Sequence, residues 1–162
     1  MNITISPYKN EYKQQVINLI LSIQKNEFGI DVKEKDRPDL VDIHNAYVNN
    51  NSGNFWLALY NNNVIGTISI IHITQNKLAL QNMYIHKDFR GSMYNTATKL
   101  LKETVSFANE NDAKEIYLGT ANDFCAAHKF YERNGFSQVG KEILPSTFPI
   151  MDLDDKFFEL IL

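Results

Sequence analysis

Cysteine is almost absent from this chain of 162 residues, since Cys125 is the only one. A single thiol excludes an internal disulfide and any structural zinc site that needs several thiolates. Scarce cysteine fits a reducing compartment, so the sequence predicts a cytoplasmic protein. No pattern of histidine and acid accompanies the thiol, and we expect Cys125 to be a small buried residue. The four histidines do not show metal-ligand spacing, so no metal is expected.

A strong charge of one sign is also lacking, because 16 basic residues face 19 acidic ones and the net charge is −3. This balance gives no general attraction to nucleic acid. The most apolar segment, 64–73, is interrupted by polar residues and is far shorter than the roughly 20 residues of a membrane span. The N-terminus shows no basic segment followed by an apolar stretch. We therefore expect neither nucleic acid nor a membrane as a partner.

Hydrophobic residues make up 44% of the chain, and the length predicts one domain over residues 1–162. Helical and strand periodicities divide the chain into alternating elements. The predicted helices begin at Pro7, run from Pro38 to about Tyr47, from Ala97 to Ala108, and from about Asp123 to Asn134 with Gly135 as the left-handed cap. The predicted strands cover 3–5, 55–60, 64–73, 78–86, 116–118, 136–139 and 152–162.

The order of these elements predicts the fold class. Asn61 to Asn63 separate two strands and predict a hairpin turn, because asparagine suits positive φ. A strand–helix–strand crossover joins parallel strands, so 78–86 and 116–118 should be parallel. We therefore predict an α/β fold with a mixed, mostly antiparallel sheet, one parallel β-α-β crossover and flanking helices.

The connection between strand 78–86 and the next helix combines small and basic side chains. The small residues are Asn95, Thr96, Ala97 and Thr98, and the basic ones are His86, Lys87, Arg90 and Lys99. Small side chains let an anion approach the free N–H groups and the dipole of the first helical turn. The segment is therefore either an anion-binding loop or an ordinary strand-to-helix connection.

Two motifs, in this order, resemble the GCN5-related N-acetyltransferase (GNAT) family. The family's pyrophosphate loop commonly reads R-G-x-G-x-G/A-x-x-L-L, and here two further residues lie between Arg90-Gly91 and Leu100-Leu101. This spacing aligns Asn95 with the first loop glycine and Ala97 with the second, and asparagine tolerates the left-handed conformation. Further along, Ala127 to Phe136 resembles the family's A-x-x-[LF]-Y-x-[KR]-x-G-F.

The resemblance implies an acyl-CoA N-acyltransferase fold, acetyl-CoA as the donor, and a primary amine of a small molecule or peptide as the acceptor. It further implies direct attack of the amine on the thioester, and a homodimer is common in the family. Tyr131 occupies the position that often protonates the leaving thiolate. The implied residues for coenzyme A are Met83, Ile85, Arg90, Gly91, Asn95, Thr96, Ala97 and Thr98.

The acceptor side is less defined by the sequence. The family often draws a general base from a carboxylate on the strand that here offers Gln81 and Asn82. The candidates elsewhere are Glu27, which ends a helix that walls the acceptor pocket in the family, and His72 on the preceding strand. A cationic acceptor is favoured by the acidic residues Glu27, Asp31, Asp39 and Asp154.

Each candidate residue also has a simpler explanation. Tyr131 fits a core aromatic, Glu27 a solvated charge at a helix end, and His72 a hydrogen-bonded strand residue. Because the strand lacks a carboxylate and the loop lacks its first glycine, a non-catalytic acyl-CoA-binding sensor or scaffold is the alternative function.

Overall fold

The structure is a computed structural model that describes residues 2–49 and 52–162. The strands are β1 (Thr4–Pro7), β2 (Gly53–Tyr60), β3 (Asn63–Thr74), β4 (Lys77–Ile85), β5 (Glu115–Thr120), β6 (Ser137–Val139) and β7 (Lys156–Ile161). The α-helices are α1 (Lys13–Phe28), α2 (Pro38–Val41), α3 (Thr96–Glu110) and α4 (Cys125–Arg133).

The strands form one mixed sheet in the order β1-β2-β3-β4-β5-β7-β6. β4 and β5 are parallel, with Leu78 opposite Ile116, whereas β1–β2, β2–β3, β5–β7 and β6–β7 are antiparallel. The predicted fold class, including the parallel pair, is confirmed. The backbone contacts divide into two units that are interleaved along the chain: a first unit of residues 1–71 and 81–106, and a second unit of residues 72–80 and 107–162.

In the first unit, α1 buries one face in an apolar core. Val16, Ile20 and Ile23 recur at helical spacing on that face. They pack in one cluster with residues of β2, including Phe55 and Leu57. Fully burying a side chain of this size stabilises the fold by about 1.5–3 kcal/mol relative to exposure, so this face holds α1 in place.

In the second unit, β7 contributes aromatic side chains to both faces of its strand. Phe158 is buried, and the rings of Tyr131 and His128 from α4 lie 5.9 and 5.6 Å from it between centroids. The neighbouring Phe157 points to the other face, where its ring lies 6.1 Å from that of Phe148. Gly135, just after α4, has a φ of 91° and so supplies the predicted left-handed turn.

One helix prediction near a proline was wrong, and a second was right only in part. Pro7 does not open a helix but ends β1 opposite Trp56, and α1 begins only at Lys13 after a 3₁₀ turn. A strand end tolerates proline because no ladder hydrogen bond is then lost from the strand interior. The second helix, predicted from Pro38 to about Tyr47, is interrupted. α2 ends at Val41, because Asp42 is not helical and its carboxylate accepts a hydrogen bond from the backbone N–H of Asn45. A π-helical segment then runs from His44 to Val48.

Two further predictions were wrong near the C-terminal part of the chain. The last strand begins at Lys156 rather than at Asp152, because the Asp154 carboxylate accepts the Met151 backbone N–H and closes a turn. Cys125 is exposed at the first position of α4 rather than buried. The Asn61 turn was right: Asn61 and Asn62 have φ angles of 49° and 62°.

Candidate active site

Strand β4 changes character at its middle. Its residues from Leu78 to Leu80 are buried, whereas those from Gln81 to Ile85 are each only partly buried, whichever way they point. Successive side chains of a strand point to opposite faces, so a strand that is partly exposed at every position borders open space. Residues 81–85 are therefore the open half of β4. Met83 and Ile85, whose backbone is predicted to contact coenzyme A, belong to this open half.

Asn82 marks the point where β4 changes. Its φ of 52° is left-handed, which is unusual inside a strand. Its Oδ1 accepts from Arg37 Nη2 (2.7 Å), and its Nδ2 donates to Tyr47 Oη (2.7 Å) and Ser69 Oγ (3.0 Å). Its carbonyl accepts from Thr67 Oγ1 (2.7 Å). Each hydrogen bond contributes roughly 1 kcal/mol, so these contacts together outweigh the cost of a left-handed residue, which is about 1–2 kcal/mol.

An ion pair completes this polar cluster. Arg37 donates from Nε and Nη2 to the two carboxylate oxygens of Asp39, both at 2.9 Å, and the Tyr47 hydroxyl also donates to Asp39. Burial alone raises the pKa of Asp39, but the hydrogen bonds from Arg37 and Tyr47 outweigh it, so this pKa is lowered. Burial raises the pKa of Tyr47, and Asp39 raises it further, so its phenol stays protonated. No sequence motif joins these residues, so the cluster was not predicted.

The loop between β4 and α3 leads into the helix through left-handed residues. Asn95 adopts the left-handed conformation, with a φ of 53°, as does Gly91 with 91°. The Thr96 hydroxyl donates to the Phe89 carbonyl (2.8 Å), and the Lys99 N–H donates to the Asn95 carbonyl (3.0 Å). The N–H groups of residues 96–98 precede that first helical hydrogen bond and so are available to a ligand.

The start of α3 packs closely on β3 within the first unit. A Cβ added at Gly66 would lie 3.2 Å from Leu100 and 3.4 Å from Thr96, so glycine permits this approach. Thr96 is buried, whereas Ala97 is partly exposed and Thr98 exposed. The first turn of α3 is therefore anchored on one side and open on the other.

Glu27 and Arg90 form one ion pair, although Glu27 was predicted to contact the acceptor and Arg90 to contact coenzyme A. The two guanidinium nitrogens Nη1 and Nη2 donate to the two oxygens of Glu27, both at 2.7 Å, and Nε donates to the Ile85 carbonyl at 2.8 Å. The hydrogen bond from Arg90 lowers the pKa of Glu27, with further lowering by the charges of Lys87 and His86. Glu27 thus lies at the predicted coenzyme A loop, beside a pocket of about 250 Å³.

The remaining two candidates belong to the second unit. Tyr131 is only 7% exposed, and its ring lies 5.6 Å from that of Phe136. These contacts fit a core aromatic, and its catalytic role stays a prediction. His72 is partly buried, with its ring 6.3 Å from that of Phe107.

Three of the four acidic residues predicted to favour a cationic acceptor are paired with basic side chains, whereas Asp154 accepts the Met151 backbone N–H. Glu27 is paired with Arg90, Asp31 with Lys33 at 3.1 Å, and Asp39 with Arg37. The described residues contain no group of three or more metal-ligating side chains placed to hold an ion. None of the helices in the described part of the chain is long and apolar enough to cross a bilayer.

Comparison with known proteins places this arrangement in a family. The model of the Acetyltransferase (GNAT) family matches residues 17–136. A GNAT-family acetyltransferase from Staphylococcus aureus is 40% identical, with a TM-score of 0.92 over 99% of both chains. The PaiA N-acetyltransferase of Thermoplasma acidophilum, solved in complex with coenzyme A, shares the fold at 18% identity, with a TM-score of 0.76 over 100% of both chains.

Curated relatives match a smaller part of the chain. The probable N-acetyltransferase camello of Xenopus tropicalis is 34% identical over 68% of this chain and 50% of its own length. The N-acetylaspartate synthetase of Danio rerio is 32% identical over 75% of this chain and 44% of its own length. The chain thus spans about half the length of these relatives. It belongs to the acetyltransferase (GNAT) family.

Proposed function

We propose that this chain transfers an acetyl group from acetyl-CoA to a primary amine of a small molecule. The observation that carries the proposal is the open half of β4 leading into the first turn of α3, where left-handed Asn95 precedes N–H groups available to a pyrophosphate. The names of its relatives, N-acetyltransferase and N-acetylaspartate synthetase, support acyl transfer to nitrogen.

The proposed reaction is a direct transfer. The amine nitrogen attacks the thioester carbonyl carbon, the C–S bond breaks, and the sulfur leaves with the electron pair. Backbone N–H groups near Met83 and Ile85 stabilise the negative charge that develops on the carbonyl oxygen. Tyr131 donates a proton to the departing sulfur, and the nitrogen loses its proton to water. Most of the acceleration comes from orienting the two substrates against each other.

A thiol-release assay with acetyl-CoA and a panel of amines tests the function. The panel should include amino acids, polyamines, aminoglycosides and peptide N-termini, with product acetylation checked by mass spectrometry. We expect CoA release that depends on the amine. Binding of acetyl-CoA without release in any mixture would reject the enzyme and favour an acyl-CoA-binding module, and no binding at all would reject both functions.

Glu27→Gln should tighten coenzyme A binding and leave the amine KM unchanged. The change removes one negative charge beside His86, Lys87 and Arg90, while the Ile85 carbonyl still holds Arg90. For a charge this exposed, we expect a Kd lower by about 2- to 5-fold at low salt, and a smaller effect as salt rises.

Calorimetric titrations of CoA at two salt concentrations measure this effect. Glu11→Gln is the matched control, because it makes the same change of charge in the exposed 3₁₀ turn before α1. A higher KM for the amine with an unchanged Kd for CoA would instead show that Glu27 acts on the acceptor and not on CoA.

A further inference from the structure

The guanidinium of Arg37 has one nitrogen left over. An arginine carries five N–H donors. Nε and Nη2 use three of them, two on Asp39 and one on Asn82. Nη1 donates to no residue in the described part of the chain, and it is not among the enclosed atoms that lack a partner. With 12% of the side chain exposed, Arg37 offers two N–H groups from a rigidly held position.

A second unmet polar group lies in the same unit. Gln24 is 8% exposed, and its Nε2 donates to the Tyr84 hydroxyl at 3.1 Å. Its Oε1 is enclosed and accepts no hydrogen bond from the described residues. Burial lowers the pKa of Arg37, but the hydrogen bond to Asp39 and the charge of Asp39 outweigh burial, so this pKa is raised. Two polar groups of the first unit, Arg37 Nη1 and Gln24 Oε1, thus have no hydrogen-bond partner among the described residues.

We infer that the acceptor amine carries a carboxylate, as an amino acid does, and that Arg37 Nη1 binds this carboxylate. The inference rests on the proposed function and names its substrate class. Arg37 touches Asn82, which directly precedes Met83 in the open half of β4. An amino acid carries its amine and its carboxylate on one carbon, so a carboxylate on Arg37 brings the amine to this part of β4.

The electrostatics around Arg37 permit a second carboxylate. Guanidinium groups pair with carboxylates through more than one edge, and Asp39 occupies only the edge formed by Nε and Nη2. Tyr47 stays protonated because burial raises its pKa, so it adds no negative charge. Glu27 and Asp31 are themselves paired with Arg90 and Lys33.

Matched acceptor pairs test the inference in the wild-type chain. Each pair consists of an amino acid and its carboxamide, or the amine left after decarboxylation, assayed by thiol release at saturating acetyl-CoA. We expect kcat/KM to be about 10- to 100-fold higher for the member with the carboxylate, the usual size of a hydrogen bond to a charged group. Equal kcat/KM values within the pairs would overturn the inference. Release of CoA with the amines that lack a carboxylate would still leave the proposed function standing.

The members of each acceptor pair also differ in the basicity of their amine, and Arg37→Lys separates this difference from recognition of the carboxylate. Lysine keeps the positive charge beside Asp39 but lacks the second nitrogen, so the preference within each pair should fall about 10-fold. Because the preference is a ratio within each pair, a general loss of kcat in this variant cancels, and the KM for acetyl-CoA should stay the same. Lys35→Gln removes an exposed charge nearby and should keep the wild-type preference. A folded Arg37→Lys enzyme with an unchanged preference would overturn the inference, and if that variant fails to fold, the wild-type pairs alone decide.

Discussion

Ala97→Glu should abolish the binding of CoA and acetyl-CoA while leaving the fold intact. Ala97 is the second residue of α3 and is partly exposed in the turn proposed to hold the pyrophosphate. A glutamate there puts a negative charge and a longer side chain against the phosphates, and like charges in contact cost several kcal/mol, about 10²-fold or more in Kd. The helix itself should not suffer, because an acidic residue in the first turn suits the helix dipole.

Isothermal titration of CoA measures the loss, and Ala97→Gln is the matched control. Glutamine adds the same bulk without the charge, so its Kd should lie between those of wild type and Ala97→Glu. Thermal unfolding checks that both variants are folded. An unchanged CoA affinity in folded Ala97→Glu protein would move the pyrophosphate away from this turn.

Tyr131→Phe should lower kcat by about 10² or more with little change in acetyl-CoA affinity. The phenylalanine keeps the ring contacts with Phe136 and Phe158 and removes only the hydroxyl. General acid catalysis is typically worth about 10²–10⁴-fold. An ordinary tyrosine has a pKa of about 10 and a thiol about 8.5, so the transfer to sulfur is partial in the transition state.

The kinetic measurement must be made where chemistry limits the rate, which single-turnover experiments at saturating acetyl-CoA establish. Thermal unfolding should show that Tyr131→Phe is folded, because the ring packing is retained. A variant with near wild-type kcat would show that Tyr131 serves the core of the second unit and not the reaction.

The sequence predicted the strands and helices where apolar periodicity was strong. The failures lie where a short polar side chain competes with the backbone, as Asp42 does when it ends the second helix and Asp154 when it delays β7. Periodicity carries no information about such local hydrogen bonds. Cys125 was predicted to be buried from its residue type alone, and residue type does not say which side of α4 faces the solvent.

The candidate site divides in the same way between local and distant contacts. The loop from Arg90 to Thr98 is continuous in sequence, so its small residues and its left-handed Asn95 were visible from the sequence. Glu27 meets Arg90 across 63 positions, and Arg37 meets Asn82 across 45. A single sequence does not show which residues meet at such separations, because any of its acidic residues could pair with any of its basic ones. Only the fold determines which pairs form.

The left-handed Asn82 also fixes the alignment of β4 on β3. Side chains alternate along a strand, so a slip by one residue would turn every side chain to the opposite face. Asn82 makes such a slip costly, because its carbonyl and amide reach Thr67 and Ser69 on β3, and the His86 N–H reaches the Ile65 carbonyl further along. A shifted strand would place glutamine or methionine, the neighbours of Asn82, in the left-handed position. The hydrogen bonds of the Asn82 amide with Arg37, Tyr47 and Ser69 would then be lost. Asn82 therefore fixes the register of β4 on β3, and this register determines which side chains of β4 lie in its open half.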